Sequence, residues 1–163
     1  MGRNRTKGDR RLGALAAMVV LVAACGGGGS DAPAGGAPPA PPAAAGGLTA
    51  FQLEHGIGPI TEPVVLPEAV DHELAERGEE VFAQKCSACH KLEEKYIGPA
   101  LGEVLERRTP AFVMNMILNP QEMIEQHPVI KQLLAETMSF MPNQNLTPDE
   151  ARAVVEYIRS QDH

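Results

Sequence analysis

The chain has no tryptophan, two tyrosines and four phenylalanines among its 163 residues. An ordinary domain of this size draws more of its core from aromatic rings, so something else must fill the centre. No stretch alternates apolar and polar residues, which argues against half-buried strands, and no internal repeat is present. Basic residues are also short: 14 Lys and Arg stand against 21 Asp and Glu, a net charge of −7. A phosphate backbone is a poor partner for such a surface, so nucleic acid is excluded. Long apolar runs are missing too. The longest, "LGALAAMVVLVAA" from Leu12 to Ala24, rises only ~20 Å as a helix and cannot span a hydrocarbon core of ~30 Å.

That run follows Arg3, Arg5, Lys7, Arg10 and Arg11, the basic and apolar pattern of an export leader. It ends "LVAAC", Leu21 to Cys25, which resembles the lipobox cut by the lipoprotein signal peptidase. Residues 1–24 are therefore expected to be a lipoprotein signal peptide, with Cys25 the lipid anchor on the mature chain. An ordinary leader with a cysteine nearby by chance is the alternative. Residues 25–47, rich in glycine, proline and alanine, read as a tether without a core. The leader carries five of the bases and one of the acids, so the mature chain keeps nine against twenty, a net −11.

From Leu48 to His163 there are 116 residues, enough for one domain. Residues 48–70 form an N-terminal extension and 71–163 the domain proper. Its patterns are helical, and the fold class expected is all-α. Leu74, Ala75, Gly78, Val81 and Phe82 recur at spacings of three and four. Thr109–Pro110 opens a helix closed by Asn119–Pro120, and His127–Pro128 opens another. Thr147, Pro148, Asp149 and Glu150 make a capping box with proline at the first helical position. Gly78 is expected to let the last helix cross closely, with Tyr157 beside Phe82.

Two cysteines and a histidine, Cys86, Cys89 and His90, form "CSACH" at the end of the first of these helices. A thioredoxin-like dithiol needs a strand before it, and no strand is expected here. Structural zinc needs four ligands, which only a site completed by His90 and His127 would approach. CxxCH is the attachment pattern of c-type haem, in which each thiol takes one vinyl group. A flat apolar macrocycle would also occupy the centre that the aromatics leave empty.

"GEEVFAQKCSACHKL", "IGPALGEV" and "MPNQNLTPDEARAVVEYIRSQ" together resemble class I cytochromes c over roughly Asp71 to Gln161. The likeness is closest to lipoprotein monohaem cytochromes c of bacterial respiratory chains, and "FQLEHGIGPI" resembles their N-terminal extension. The resemblance implies helices wrapped round one covalent haem c, held through Cys86 and Cys89, with His90 and a methionine as axial ligands. Met141, before Pro142, matches the family's ligand position, and Met138 is its nearest rival. Met114, Met116 and Met123 read as core filler, the last of them in a loop. Pro99 matches the residue whose carbonyl orients the proximal histidine. Arg107 and Arg108 are candidates for the haem propionates or are a solvated pair. Gln144 or Asn143 is a candidate donor to the Met141 sulfur. His55 reads as a loop histidine, with ligation or a propionate contact as its alternative, and Lys85, Lys91 and Lys95 are expected round the exposed haem edge.

The expected function is single-electron transport rather than enzymatic catalysis, with no small-molecule substrate. A quinol-oxidising complex or another cytochrome would be the donor, and a haem–copper oxidase or other reductase the acceptor. The chain would be exported and membrane-anchored through lipid, on the periplasmic or outer face. The rival reading is a haem-based sensor or peroxidase-type protein with a displaceable sixth ligand.

Overall fold

A computed structural model describes residues 47–162. The leader, Cys25 and most of the tether lie outside the described residues. Seven helices and no strands occur among those described: α1 (Ala50–His55), α2 (His72–Lys85), α3 (Val104–Arg107), α4 (Pro110–Leu118), α5 (Pro120–Gln126), α6 (Pro128–Thr137) and α7 (Pro148–Gln161).

The helix starts follow from local chemistry. Asp71 accepts the Leu74 N–H at 3.0 Å to begin α2, and Thr109 Oγ1 accepts the Phe112 N–H at 3.2 Å to begin α4. At α7 the capping box closes both ways. Thr147 Oγ1 accepts the Glu150 N–H at 3.2 Å, and Glu150 Oε2 accepts the Thr147 N–H at 2.8 Å. Each such bond satisfies a donor that the helix itself leaves over. Two elements go beyond the sequence pattern. Residues 50–55 form a capped helix, so His55 ends α1 rather than sitting in a loop. Residues 120–126 continue as α5 after the Asn119–Pro120 break, which puts Met123 in a helix, fully buried. The proline that closes α4 opens α5, because a missing N–H costs nothing in a first turn.

The packing frame is the crossing of α2 on α7. Gly78 lies against the Ala153 carbonyl of α7, and a Cβ there would also meet Tyr157 Cβ at 2.9 Å. Phe82 and Tyr157 pack with ring centroids 5.2 Å apart, as the pattern predicts. Around this crossing Phe82, Cys86, Val113, Ile117, Val154 and Ile158 form the main apolar cluster. A second cluster joins Ile57 of the extension to Phe112, Met123 and Ile130. Buried Glu156 of α7 ties the frame to the start of α2: it accepts the Asp71 N–H at 2.9 Å and pairs with Arg152 at 2.6 Å and Arg159 at 3.2 Å.

Candidate haem site

Cys86 is the C-cap of α2, and the chain turns so that the Cys89 and His90 N–H groups both donate to the Cys86 carbonyl, at 3.0 and 2.9 Å. One turn of backbone thus presents two thiols and an imidazole to the same space. Both cysteines are free thiols. Burial, with a smaller contribution from Cys89, pushes the Cys86 thiol up to about 11. A dithiol oxidoreductase carries its motif between a strand and a helix, whereas here it closes α2 with no strand among the described residues, and the raised Cys86 thiol agrees in arguing against the redox-motif reading. Among the described residues no three His, Cys, Asp or Glu side chains gather as a metal site, and His127 points elsewhere, its Nε2–H donating to the Leu53 carbonyl at 3.2 Å. The zinc reading fails with it.

His90 Nδ1–H donates to the Pro99 carbonyl at 2.9 Å. This leaves Nε2 as the free nitrogen and fixes the plane of the ring. Gly98 makes that loop possible, since a Cβ there would overlap the His90 ring. A cavity of roughly 370 Å³ opens beside the imidazole. Cys86, Cys89, His90, Pro99, Met141 and Gln144 are all on its wall, with apolar residues of α4, α6 and α7 among the rest.

Met141 is half-buried against the main cluster and lines the cavity, whereas Met138 caps α6 in a left-handed conformation (φ 53) and is 87 % exposed. Met116 also lines the cavity rather than merely filling core. Arg107 and Arg108 reach its wall. Arg107 Nη2 donates to the Gly102 carbonyl at 3.1 Å, and Arg108 Nη1 donates to the Arg107 carbonyl at 2.7 Å while its guanidinium lies 5.4 Å from the Phe112 ring centroid. Gln144 Nε2 donates to the Pro142 carbonyl at 3.0 Å, and Asn143 Oδ1 accepts the Asn145 N–H at 2.7 Å, off the cavity wall. Neither amide bonds to the Met141 sulfur among the described residues. Lys85 borders the cavity; Lys91 folds over Tyr96, 5.3 Å from its centroid, and Lys95 donates to the Glu136 carbonyl at 3.3 Å. His55 lies outside the cavity wall, its Nδ1 bonded to Thr109 Oγ1 at 2.9 Å.

The cytochrome c family model matches residues 75–162. The chain is 46 % identical to a cytochrome c from Rhodothermus marinus, with a TM-score of 0.63, over 67 % of this chain and 93 % of that one. An engineered form of cytochrome c from the same organism is 45 % identical, also with a TM-score of 0.63, over 67 % and 94 %. A further engineered structure, bound to a carbene intermediate, is 46 % identical, with a TM-score of 0.61 and the same coverage. No curated protein sequence matches the chain.

A haem fits the residues present. The cavity wall is mainly apolar, two thiols stand at its edge one turn apart, and a histidine beside it already has its second nitrogen engaged. The chain belongs to the cytochrome c family: it is a monohaem, class I haem-based electron carrier with one covalently bound haem c.

Proposed function

We propose that this protein is a lipid-anchored shuttle that carries single electrons from a quinol-oxidising complex, or another cytochrome, to a haem–copper oxidase or similar reductase. In this reading Cys86 and Cys89 would hold the haem through thioether bonds, and His90 Nε2 and the Met141 sulfur would hold its iron. Haem supplies the one-electron couple; the polypeptide supplies two fixed donors, a dry wall and a docking edge. The observation that carries the ligand choice is the division of labour in the loop after α6. Met141 turns to the cavity wall and Met138 turns to solvent. A neutral, soft thioether held together with an imidazole would raise the potential, and two protein ligands would leave no position for oxygen or substrate. That favours a carrier over an enzyme or sensor.

Arg107 and Arg108 are placed in this reading as propionate partners, since both border the cavity and arginine grips carboxylates in pairs. Docking is brief and small in area, as redox encounters are, with lysines near the site steering it. Export and acylation of Cys25, followed by the tether of residues 26–47, confine the domain to the outer face of a membrane shared with its partners, which raises their effective concentration.

The deciding experiment is ferric absorption spectroscopy with a redox titration on wild type, Met141→Ala and Met116→Leu. Met141→Ala loses the methionine–iron charge-transfer band and its potential falls, while Met116→Leu keeps the band. Retention of the band in Met141→Ala would overturn the ligand choice. Carbon monoxide binding to the ferrous wild type at neutral pH would overturn the carrier reading.

A further inference from the structure

The haem cavity has a wall behind its wall. Met116, Ile124, Ile130 and Leu133 line the cavity on one side. On the other they belong to the cluster that includes Leu48 and Ile57 of the N-terminal extension. No residue of the extension is on the cavity wall, yet it backs residues that do enclose the site.

How it is held is unusual. Asn115, Asn119 and Met123 stand at intervals of four along α4 and α5, and all three aim polar atoms at backbone 55–60. Asn115, fully buried, donates through Nδ2 to the His55 and Ile60 carbonyls, both at 2.9 Å, and accepts the Ile60 N–H at 3.0 Å. Asn119 Nδ2 donates to the Ile57 carbonyl at 3.3 Å, and Met123 Sδ accepts the Ile57 N–H at 3.1 Å. Side chains thus take the place of a neighbouring strand for an irregular segment that must be buried. The segment is shaped to match. Gly56 is left-handed (φ 82) and close to Met123, and a Cβ on Gly58 would overlap Asn115 Oδ1 and lie 3.0 Å from its Cγ.

Such a ladder does more than attach a terminus. Asn115 lies between Met114 and Met116 on a helix whose Val113, Met116 and Ile117 reach the cavity. We propose that Asn115 is a positioning residue for the redox centre: by clamping residues 55–60 it seats α4 and keeps water from the cavity's rear wall, and so holds the reduction potential up. A dry apolar surround disfavours the more highly charged ferric state, so loosening the clamp lowers the potential. The proposal rests on the haem assignment and is independent of which methionine is the sixth ligand.

Two variants of the haem-loaded protein test it, Asn115→Leu and Gly58→Ala. The second works from the extension side and alters no residue on the cavity wall. Three readouts are taken: amide exchange of Ile57 and Ile60 in the ferrous form, the reduction potential, and the ferric methionine–iron band. In both variants exchange at Ile60 speeds up about tenfold or more, as loss of a buried hydrogen bond requires. The potential falls below wild type and the band stays. A potential equal to wild type despite exposed amides overturns the proposal, and so do amides that stay protected. If Asn115→Leu fails to accumulate, Gly58→Ala alone decides. Absence of the band in wild type would sink the ligand reading without touching this comparison.

Discussion

His127 shows how one buried side chain makes the fold sensitive to acid. It is fully buried, edge-on to Phe112 with centroids 5.0 Å apart, and its Nδ1 has no partner. Burial, assisted by the nearby Arg108, holds its pKa below the ordinary 6.5, and the Leu53 carbonyl offsets this only in part. The unfolded imidazole therefore accepts a proton that the folded one resists. Its contribution to stability is complete above 6.5 and is lost as pH falls toward the lower folded value. Thermal melts between pH 7.5 and 5 are expected to show a falling midpoint in wild type and a flatter profile in His127→Gln. That variant costs about 1 kcal/mol at pH 7.5 through its lost contacts. Glu156 is the charged counterpart. Its two arginines retain some water, with side chains 21 % and 16 % exposed, so Glu156→Leu should fall at the low end for a broken buried pair, about 3 kcal/mol in a urea titration. Neither role is visible in the sequence, where His127 reads as a helix start and nothing singles out Glu156. Asn115 left only a faint mark, a poor helix former in an otherwise apolar run. Its partners are 55 and 60 residues away, beyond any local pattern.

At the scale of elements, α2, α4, α6 and α7 were legible from periodicity or from their starts, and α1, α3 and α5 were not. Thr109–Pro110 and Thr147–Glu150 act on their own neighbours, so the sequence carries the whole instruction. The start of α1 has the same reciprocal cap between Thr49 and Gln52, but six residues are too few for periodicity to show. α5 follows α4 so closely that its first proline reads as an ending. The α2–α7 crossing was legible because an interior glycine on an apolar face needs a reason. Gly78→Ala would gain up to ~1 kcal/mol in helix propensity, but its methyl would meet the Ala153 backbone, which cannot swing aside. Overpacking of this kind costs about 1–3 kcal/mol, so the variant should melt lower despite being the better helix former. A higher midpoint would show that the crossing can relax.

Over the whole molecule, chemistry was easier to read than architecture. CxxCH packs three functional groups into five residues, and the Pro99 contact reaches only nine residues further along. The cavity that receives them draws on six helices and the loops between them, and its rear wall is backed by the extension, whose residues lie far from the motif in sequence. Charge behaves oppositely. The acid excess is plain from composition, whereas Lys91 and Lys95 are already engaged, one on a ring and one on a carbonyl. Attachment is tested at this scale: in the proposed reading Cys25→Ser, expressed in a host with lipoprotein processing, moves the haem-loaded protein from the membrane to the soluble fraction with its spectrum unchanged. A variant that stays with the membrane would contradict the anchor. One last consequence belongs to Cys86. Its thiol is buried in the folded chain and held protonated there by that burial, so before haem is attached a thiolate-directed alkylating reagent should label it slowly until the chain is unfolded.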